Sequence, residues 1–213
     1  MNPPAIAIDG PAASGKSTVA KLIARELGYT FINTGAMYRA VTWYVLQQGV
    51  DPADTAAVEA LLGDIPLSFG KDGAVSTVMC RGKVLGEELT EQAVNECVSA
   101  VAAIPAVRAL LVRKQREYNT AEPVVMEGRD IGTVVFPNTP FKYFVTASEE
   151  VRAARRAAQG ITDSIAERDR KDSSRACAPL TKAEDATLVD TSDMNIEQVV
   201  AFITADIRAK LAR

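Results

Sequence analysis

The residues Gly10-Pro11-Ala12-Ala13-Ser14-Gly15-Lys16-Ser17 fill every fixed position of the pattern G-x-x-x-x-G-K-[ST]. Those residue types at that spacing suit a polyphosphate. Gly10 and Gly15 let the backbone take positive φ and bring successive N–H groups close to an anion. A helix starting near Lys16 would aim its unsatisfied N–H groups and positive dipole end at the same point. Lys16 supplies a mobile charge for the β and γ phosphates, and the Ser17 hydroxyl suits Mg²⁺. The flanks agree. Ala5-Ile6-Ala7-Ile8 is a short apolar run that reads as a buried strand, and beyond the loop Val19, Leu22, Ile23 and Leu27 share one helical face. Strand, glycine loop and helix together predict a nucleoside-triphosphate loop over Gly10 through Thr18.

Phosphoryl transfer spreads negative charge over the moving group, and its catalysis is mostly positioning and charge stabilisation. It needs cations from several directions. The 24 basic residues are 15 arginines and 9 lysines, and the arginine fork suits bidentate contact with phosphate. Arg152, Arg155, Arg156, Arg168, Arg170, Lys171 and Arg175 crowd one charged stretch. Residues 152–175 read either as a lid closing over phosphates or as a solvated helical face laced with i,i+4 pairs. Glu127 ends the apolar run Pro123-Val124-Val125-Met126. Phosphate-loop proteins place an acid there to orient Mg²⁺ or its water; the alternative is an acid open to solvent. Ser17 and Glu127 are the metal candidates, and Mg²⁺ with ATP is the expected cofactor.

The elements that must hold these residues alternate. Tyr29-Thr30-Phe31-Ile32 reads as a second strand, followed by a helix with Met37, Ala40, Val41, Tyr44 and Val45 on one face and Arg39 just off it. Asp54 caps a short helix through Leu62. Residues 64–89 then change texture, with β-like pieces at 67–69, 75–79 and 83–85 separated by turn residues. A helix over 90–102 shows a polar face of Gln92, Asn95, Glu96 and Ser99. Pro105 opens another, carrying Arg108. Strands at 123–126, 141–145 and 187–190 follow, and a closing helix has Ile196, Val199, Val200, Ile203 and Ile207 inward. The expected fold is α/β, a P-loop kinase with a parallel central sheet flanked by helices, an inserted α+β subdomain and a helical lid. The expected boundaries are 1–62 and 103–213 for the core, 63–102 for the insert and 152–175 for the lid.

Bulk properties narrow the function classes. A chain of 213 residues with 47% hydrophobic and 24% charged residues is ordinary for a soluble globular protein. A net charge of −3 gives no case for a nucleic-acid binder held by bulk charge. The absence of histidine excludes Ser-His-Asp and Cys-His catalysis and His-ligated metals. Cys80, Cys97 and Cys177 make neither C-x-x-C nor zinc spacing, which suits free thiols in a reducing compartment. No segment reads as a membrane span or a targeting leader. A cytoplasmic location is expected, and nothing marks an oligomer interface, so a monomer is expected too. The size disfavours a motor, and the lack of N-K-x-D disfavours a GTPase switch.

Several segments resemble the bacterial cytidylate kinase (CMP kinase) family over nearly the whole length. They are Ile8-Asp9-Gly10-Pro11, Thr34-Gly35-Ala36-Met37-Tyr38-Arg39, residues 127–137 from Glu127-Gly128-Arg129-Asp130, and residues 167–175 from Glu167-Arg168-Asp169 to Arg175, with Pro179-Leu180 after. The resemblance implies transfer of the γ-phosphoryl of ATP to CMP or dCMP. It implies that Arg39, Arg129 and Arg175 hold the CMP phosphate with Thr34 nearby, that Ser99, Arg108 and Asp130 read cytosine, and that Arg168 and Asp172 meet the sugar. It also implies that the insert is an enlarged monophosphate-binding subdomain. Cytosine offers an N4 amino donor with N3 and O2 acceptors, so Asp130 and Ser99 would accept and Arg108 would donate; uracil reverses the pattern and leaves Asp130 unpaired. Taken singly, each residue has a plainer reading: Ser99 solvated, Arg108 a surface charge, Asp172 and Arg175 a mutual i,i+3 pair. The segment 157–166 is shorter than in typical relatives. Which of Arg152, Arg155 and Arg156 reaches the moving phosphoryl is therefore left open, with Arg156 as the catalytic candidate beside Lys16, Arg129 and Arg175. The competing functions are a small-metabolite kinase and a non-catalytic nucleotide switch.

Overall fold

Strand β1 (Ala5–Asp9) is buried along its whole length, as a strand covered on both faces must be. The computed structural model to which it belongs describes residues 3–158, 165–175 and 177–212, apart from the side chains of Ile165 and Arg168. The chain continues through α1 (Lys16–Leu27), β2 (Thr30–Asn33), α2 (Thr34–Gln47), α3 (Thr55–Leu61), β3 (Leu67–Asp72), β4 (Val75–Cys80) and β5 (Lys83–Val84). Then come α4 (Gln92–Val101), α5 (Pro105–Tyr118), β6 (Val124–Gly128), β7 (Lys142–Thr146), α6 (Glu149–Ala158), α7 (Ile165–Ser173), β8 (Thr187–Asp190) and α8 (Ile196–Leu211). A π-helical turn, Ile131–Val135, follows β6.

The sheet order is β3-β4-β2-β6-β1-β7-β8, with β5 paired to β4. From β4 through β8 the pairings are parallel. The two-residue period of β1 divides its side chains between two cores. Ile6 and Ile8 pack with Val19 and Ile23 of α1 and with Val199, Ile203 and Ile207 of α8. Ala5 and Ala7 face Met126, Ile131 and Val135, with Val112 and Tyr118 of α5 beyond. A third core joins α2, α4 and α5 through Val41, Val45, Val98, Val101, Val107 and Leu111. Each of the larger aliphatic side chains so buried contributes about 1.5–3 kcal/mol before the entropy of ordering it.

Two expected core residues face outward. Leu22 is 36% exposed, because the inner face of α1 is Val19, Ala20, Ile23 and Ala24, which rotates Leu22 off the sheet. Ile196 is 47% exposed at the first turn of α8, where it lines a cavity instead of the core. The β-rich segment also does more than the sequence pattern suggests. Its antiparallel β3–β4 hairpin extends the central sheet: Phe31 pairs with Val75, and Asn33 N donates to Ser76 Oγ at 3.1 Å. Asp54 caps α3 through Ala57 N as expected. No single helix among the described residues is long and apolar enough to cross a membrane.

Candidate active site

The loop between β1 and α1 owes its shape to glycine. Gly10 has φ +155°, and a Cβ there would meet the Val145 carbonyl oxygen at 2.0 Å, so no other residue fits. Gly15 sits in the left-handed region at φ +87° as the N-cap of α1. Lys16 Nζ donates to Pro11 O at 3.0 Å and lies 4.0 Å from Glu127 Oε2. Ser17 Oγ donates to Glu127 Oε1 at 2.9 Å. Lys16 and Glu127 are both buried, so the solvent-exposed reading of Glu127 does not hold. Ala12, Ala13, Gly15, Lys16, Ser17 and Thr18 line a cavity of about 150 Å³. Ser14 is buried, and its Oγ has no hydrogen-bond partner among the described residues.

A larger cavity of about 420 Å³ opens on the other side of Lys16. Thr34 and Arg39 reach it from α2, Ser99 from α4, Arg108 from α5, Arg129 and Asp130 from the turn after β6, and Asp172 and Arg175 from α7 and just beyond. These are eight of the nine side chains assigned to the acceptor. The ninth, that of Arg168, lies outside the described residues.

Two buried ion networks order this cavity. Arg108 NH2 pairs with Asp130 Oδ2, and both residues are about 95% buried. The Arg108 guanidinium lies over the Tyr38 ring at 5.5 Å. Burial pushes the Asp130 carboxyl above its ordinary range, while Arg108 first, then Arg175 and Arg129, pull it down. The second network centres on Asp172, 2% exposed. It accepts from Ser99 Oγ at 3.2 Å, from Arg129 Nε at 2.9 Å and from Arg175 NH2. Ser99 and Arg108 are therefore neither solvated nor surface residues. Asp172 and Arg175 do form the i,i+3 pair of the plainer reading, yet inside a larger knot lining the cavity. Among the described residues Arg175 Nε is buried without a hydrogen-bond partner, and burial pulls the Arg175 pKa down. An anion here would satisfy that donor.

Lys16, Ser17, Arg39, Arg129 and Arg156 line both cavities. Where the two spaces meet, four cations surround one point. The arginines of α6 divide. Arg152 pairs with Asp169 and donates to Ala12 O at 3.2 Å. Arg155 donates to Ser14 O at 3.2 Å and to Thr191 O at 3.0 Å, beside a third, mostly apolar cavity of about 360 Å³ that also touches Thr18, Met194 and Val199. Only Arg156 of the three lines the junction. The segment 159–164, which holds most of the shortened stretch, lies outside the described residues.

Sequence reasoning missed three supporting residues. Asp169 accepts from Ala12 N at 3.0 Å while pairing Arg152, tying α7 and α6 to the loop. Tyr38 underlies Arg108, and burial pushes its hydroxyl up to about 12. Asn95 accepts from Arg39 Nε at 3.4 Å. Asp169 and Tyr38 stand inside the segments quoted above, but their partners are remote in sequence and carry no local signal.

For a hard cation, the exposed Ser17 and the buried Glu127 bring a hydroxyl and a carboxylate oxygen together, and the other carboxylate oxygen lies 4.0 Å from Lys16 Nζ. Among the described residues no group of three or more His, Cys, Asp or Glu converges.

The sequence profile described as cytidylate kinase matches residues 6–209. A cytidylate kinase of Lactiplantibacillus plantarum is 46% identical over 216 residues, covering 96% of this chain and 95% of that one. One from Streptococcus pneumoniae is 46% identical over 218 residues, covering 97% and 98%. Among solved structures, a gluconokinase from Sinorhizobium meliloti aligns over 99% of this chain and 96% of its own with a TM-score of 0.50 at 16% identity, a likeness of fold alone.

Proposed function

The chain belongs to the cytidylate kinase family and is a phosphotransferase, and from that premise we propose how its cavities divide the transfer of the γ-phosphoryl of ATP to CMP or dCMP. ATP takes the loop side. Its phosphates lie along Gly10 to Thr18, and its purine enters the apolar cavity beside Arg155, Thr191 and Met194. The acceptor takes the larger cavity. Arg39, Arg129 and Arg175 hold its phosphate, with Thr34 at hand; Asp172 and Arg168 meet the sugar. The Arg108–Asp130 pair presents a donor and an acceptor side by side, the complement of cytosine N3/O2 and its N4 amino group. Ser99 supports that reading from α4.

The single observation that carries this division is the shared lining. Lys16, Arg129 and Arg156 stand where the two cavities meet, at the place a phosphoryl in transit would occupy, and Arg175 flanks it from the acceptor side. Cations fixed there stabilise the charge that develops on the moving oxygens. The acceptor oxygen belongs to a phosphate and is already a nucleophile at neutral pH, so no general base is required. Ser17 and Glu127 would hold Mg²⁺ with ATP, where the ion neutralises phosphate charge and orients the γ-phosphoryl. The core at 1–62 and 103–213, the acceptor subdomain at 63–102 and the lid at 152–175 close around the substrates and exclude water. We place the enzyme in the cytoplasm as a monomer acting on small nucleotides, with no nucleic acid or membrane partner; its unpaired Cys80, Cys97 and Cys177 suit a reducing compartment.

The test is ADP release from Mg·ATP with CMP, dCMP, UMP, AMP, GMP and shikimate offered separately. Turnover with CMP and dCMP, and far less with the others, is expected. Comparable turnover with UMP would overturn the roles given to Ser99, Arg108 and Asp130.

A further inference from the structure

We propose that Asp9 is a positioning residue for acceptor recognition: it caps the turn after β6 in place of Asp130, which leaves the Asp130 carboxylate to face Arg108 and the acceptor cavity. The inference rests on the reading that Asp130 contacts the acceptor base.

The π-helical turn Ile131–Val135 starts directly after Asp130. Asp130 is its N-cap residue by position, and an aspartate there ordinarily turns its carboxylate back onto the first N–H groups of its own helix. Here it makes no such bond. Its carboxylate points the other way, into the pair with Arg108. Asp9 instead takes the first two N–H groups of the turn, the second of them an amide that a capping Asp130 would have reached. Ile131 N donates to Asp9 Oδ1 at 2.8 Å and Gly132 N to Asp9 Oδ2 at 2.7 Å. Both oxygens of one carboxylate are used, and Asp9 is 5% exposed.

The placement gives that cap a second consequence. Asp9 is the last residue of β1, immediately before Gly10, and it pairs in register with Gly128 of β6. The same side chain therefore joins the strand that ends in the ATP loop to the turn that carries Arg129 and Asp130. Gly132 fits closely against it: a Cβ there would come within 3.3 Å of Asp9 Oδ2 and 3.2 Å of Lys142 Cδ. The groups facing Asp9 include Asp130, which raises its pKa, and Arg129, which lowers it. Burial outweighs both amide bonds and pushes the carboxyl up to about 7. An acid kept in so unfavourable a place is explained by what it releases Asp130 to do.

Steady-state kinetics of the full chain with CMP and with UMP, for Asp9→Ala, Asp9→Asn and Asp130→Ala beside the wild type, test the proposal. Asp9→Ala should lower kcat/KM for CMP by about tenfold or more and narrow the CMP/UMP ratio, with the KM for ATP changed by less than about twofold. Asp9→Asn keeps one acceptor oxygen but sets an amide NH₂ against the second N–H, and should fall between Asp9→Ala and wild type. Should Asp9→Ala fail to fold, the CMP/UMP ratio of Asp9→Asn decides. A wild-type ratio in the Asp9 variants beside a narrowed ratio in Asp130→Ala would overturn the positioning role. A wild-type ratio in Asp130→Ala would overturn the base-reading role itself, and the positioning role with it.

Discussion

The cavities on either side of Lys16 are built in opposite ways. The side proposed for ATP is built mainly from one continuous stretch, Gly10 to Thr18, shaped by backbone dihedrals and one glycine contact, with Arg39, Arg129 and Arg156 reaching in from outside it. The side proposed for the acceptor is made from side chains on α2, α4, α5, the β6 turn and α7, drawn from residues 34 to 175 and locked by the Arg108–Asp130 and Asp172 networks. A backbone-built site persists through most side-chain changes. A side-chain-built site exists only when distant elements have docked, so recognition and stability there are one quantity.

The largest effect should come from Asp172→Ala. It leaves Arg129 and Arg175 without the carboxylate they share, and breaking a buried ion pair by removing one partner costs about 3–5 kcal/mol. Urea denaturation should show that loss together with a raised KM for CMP, whereas a stability-neutral result would mean the network is ornamental. Lys16→Ala should do the reverse. A loss of about 10²–10³-fold in kcat is expected from removing one charge that stabilises the moving phosphoryl, with the CMP/UMP preference intact. A shift in that preference would show that the two sides are not separable.

The same contrast explains what could be read in advance. The ATP loop was legible because its strand, glycines and helix are neighbours in sequence. The parallel sheet around β1 followed from the alternation of strands and helices, but its strand order did not. Arg108 was legible only through family resemblance. Its burial depends on Asp130, 22 positions on, and on Tyr38, a helix in another part of the chain. Nothing local distinguishes it from an arginine in water. Asp9 stands in a quoted segment, yet the amides it caps are 122 and 123 positions away. Leu22 shows the limit in the core: helical periodicity marks an apolar stripe, but the small Ala20 and Ala24 decide which side of it meets the sheet.

Asp9 lies on the border between the two constructions, and pH separates its contribution. Its pKa is about 7 in the fold against an ordinary 3.8. An acid that binds its proton more tightly when folded contributes most below its unfolded pKa, so that contribution falls as pH rises from about 4 to about 7. Asp9→Asn cannot ionise. Its stability relative to wild type should therefore rise across that window, by about 3 kcal/mol or less, in urea melts at stepped pH. A difference that stays flat would mean that the carboxylate is better solvated than its burial implies.

The smallest effect is expected at Ser99, and it sharpens the comparison most. Its hydroxyl donates to Asp172 at 3.2 Å, on a carboxylate that also accepts from the two arginines Arg129 and Arg175. A hydroxyl bond to a charged group contributes about 1.5 kcal/mol at the low end, where a 3.2 Å contact to a carboxylate already paired with two arginines belongs, so Ser99→Ala should shift the urea midpoint only modestly and leave the Asp172 knot standing. The oxygen that donates its proton to Asp172 still has lone pairs to accept from an N4 amino group. If Ser99 reads the base, Ser99→Ala should narrow the CMP/UMP ratio by several-fold while barely touching stability. If it serves only to tether Asp172, both nucleotides should lose affinity equally. The ratio thus decides whether α4 supplies recognition directly or holds in place the residue through which α7 reaches the acceptor.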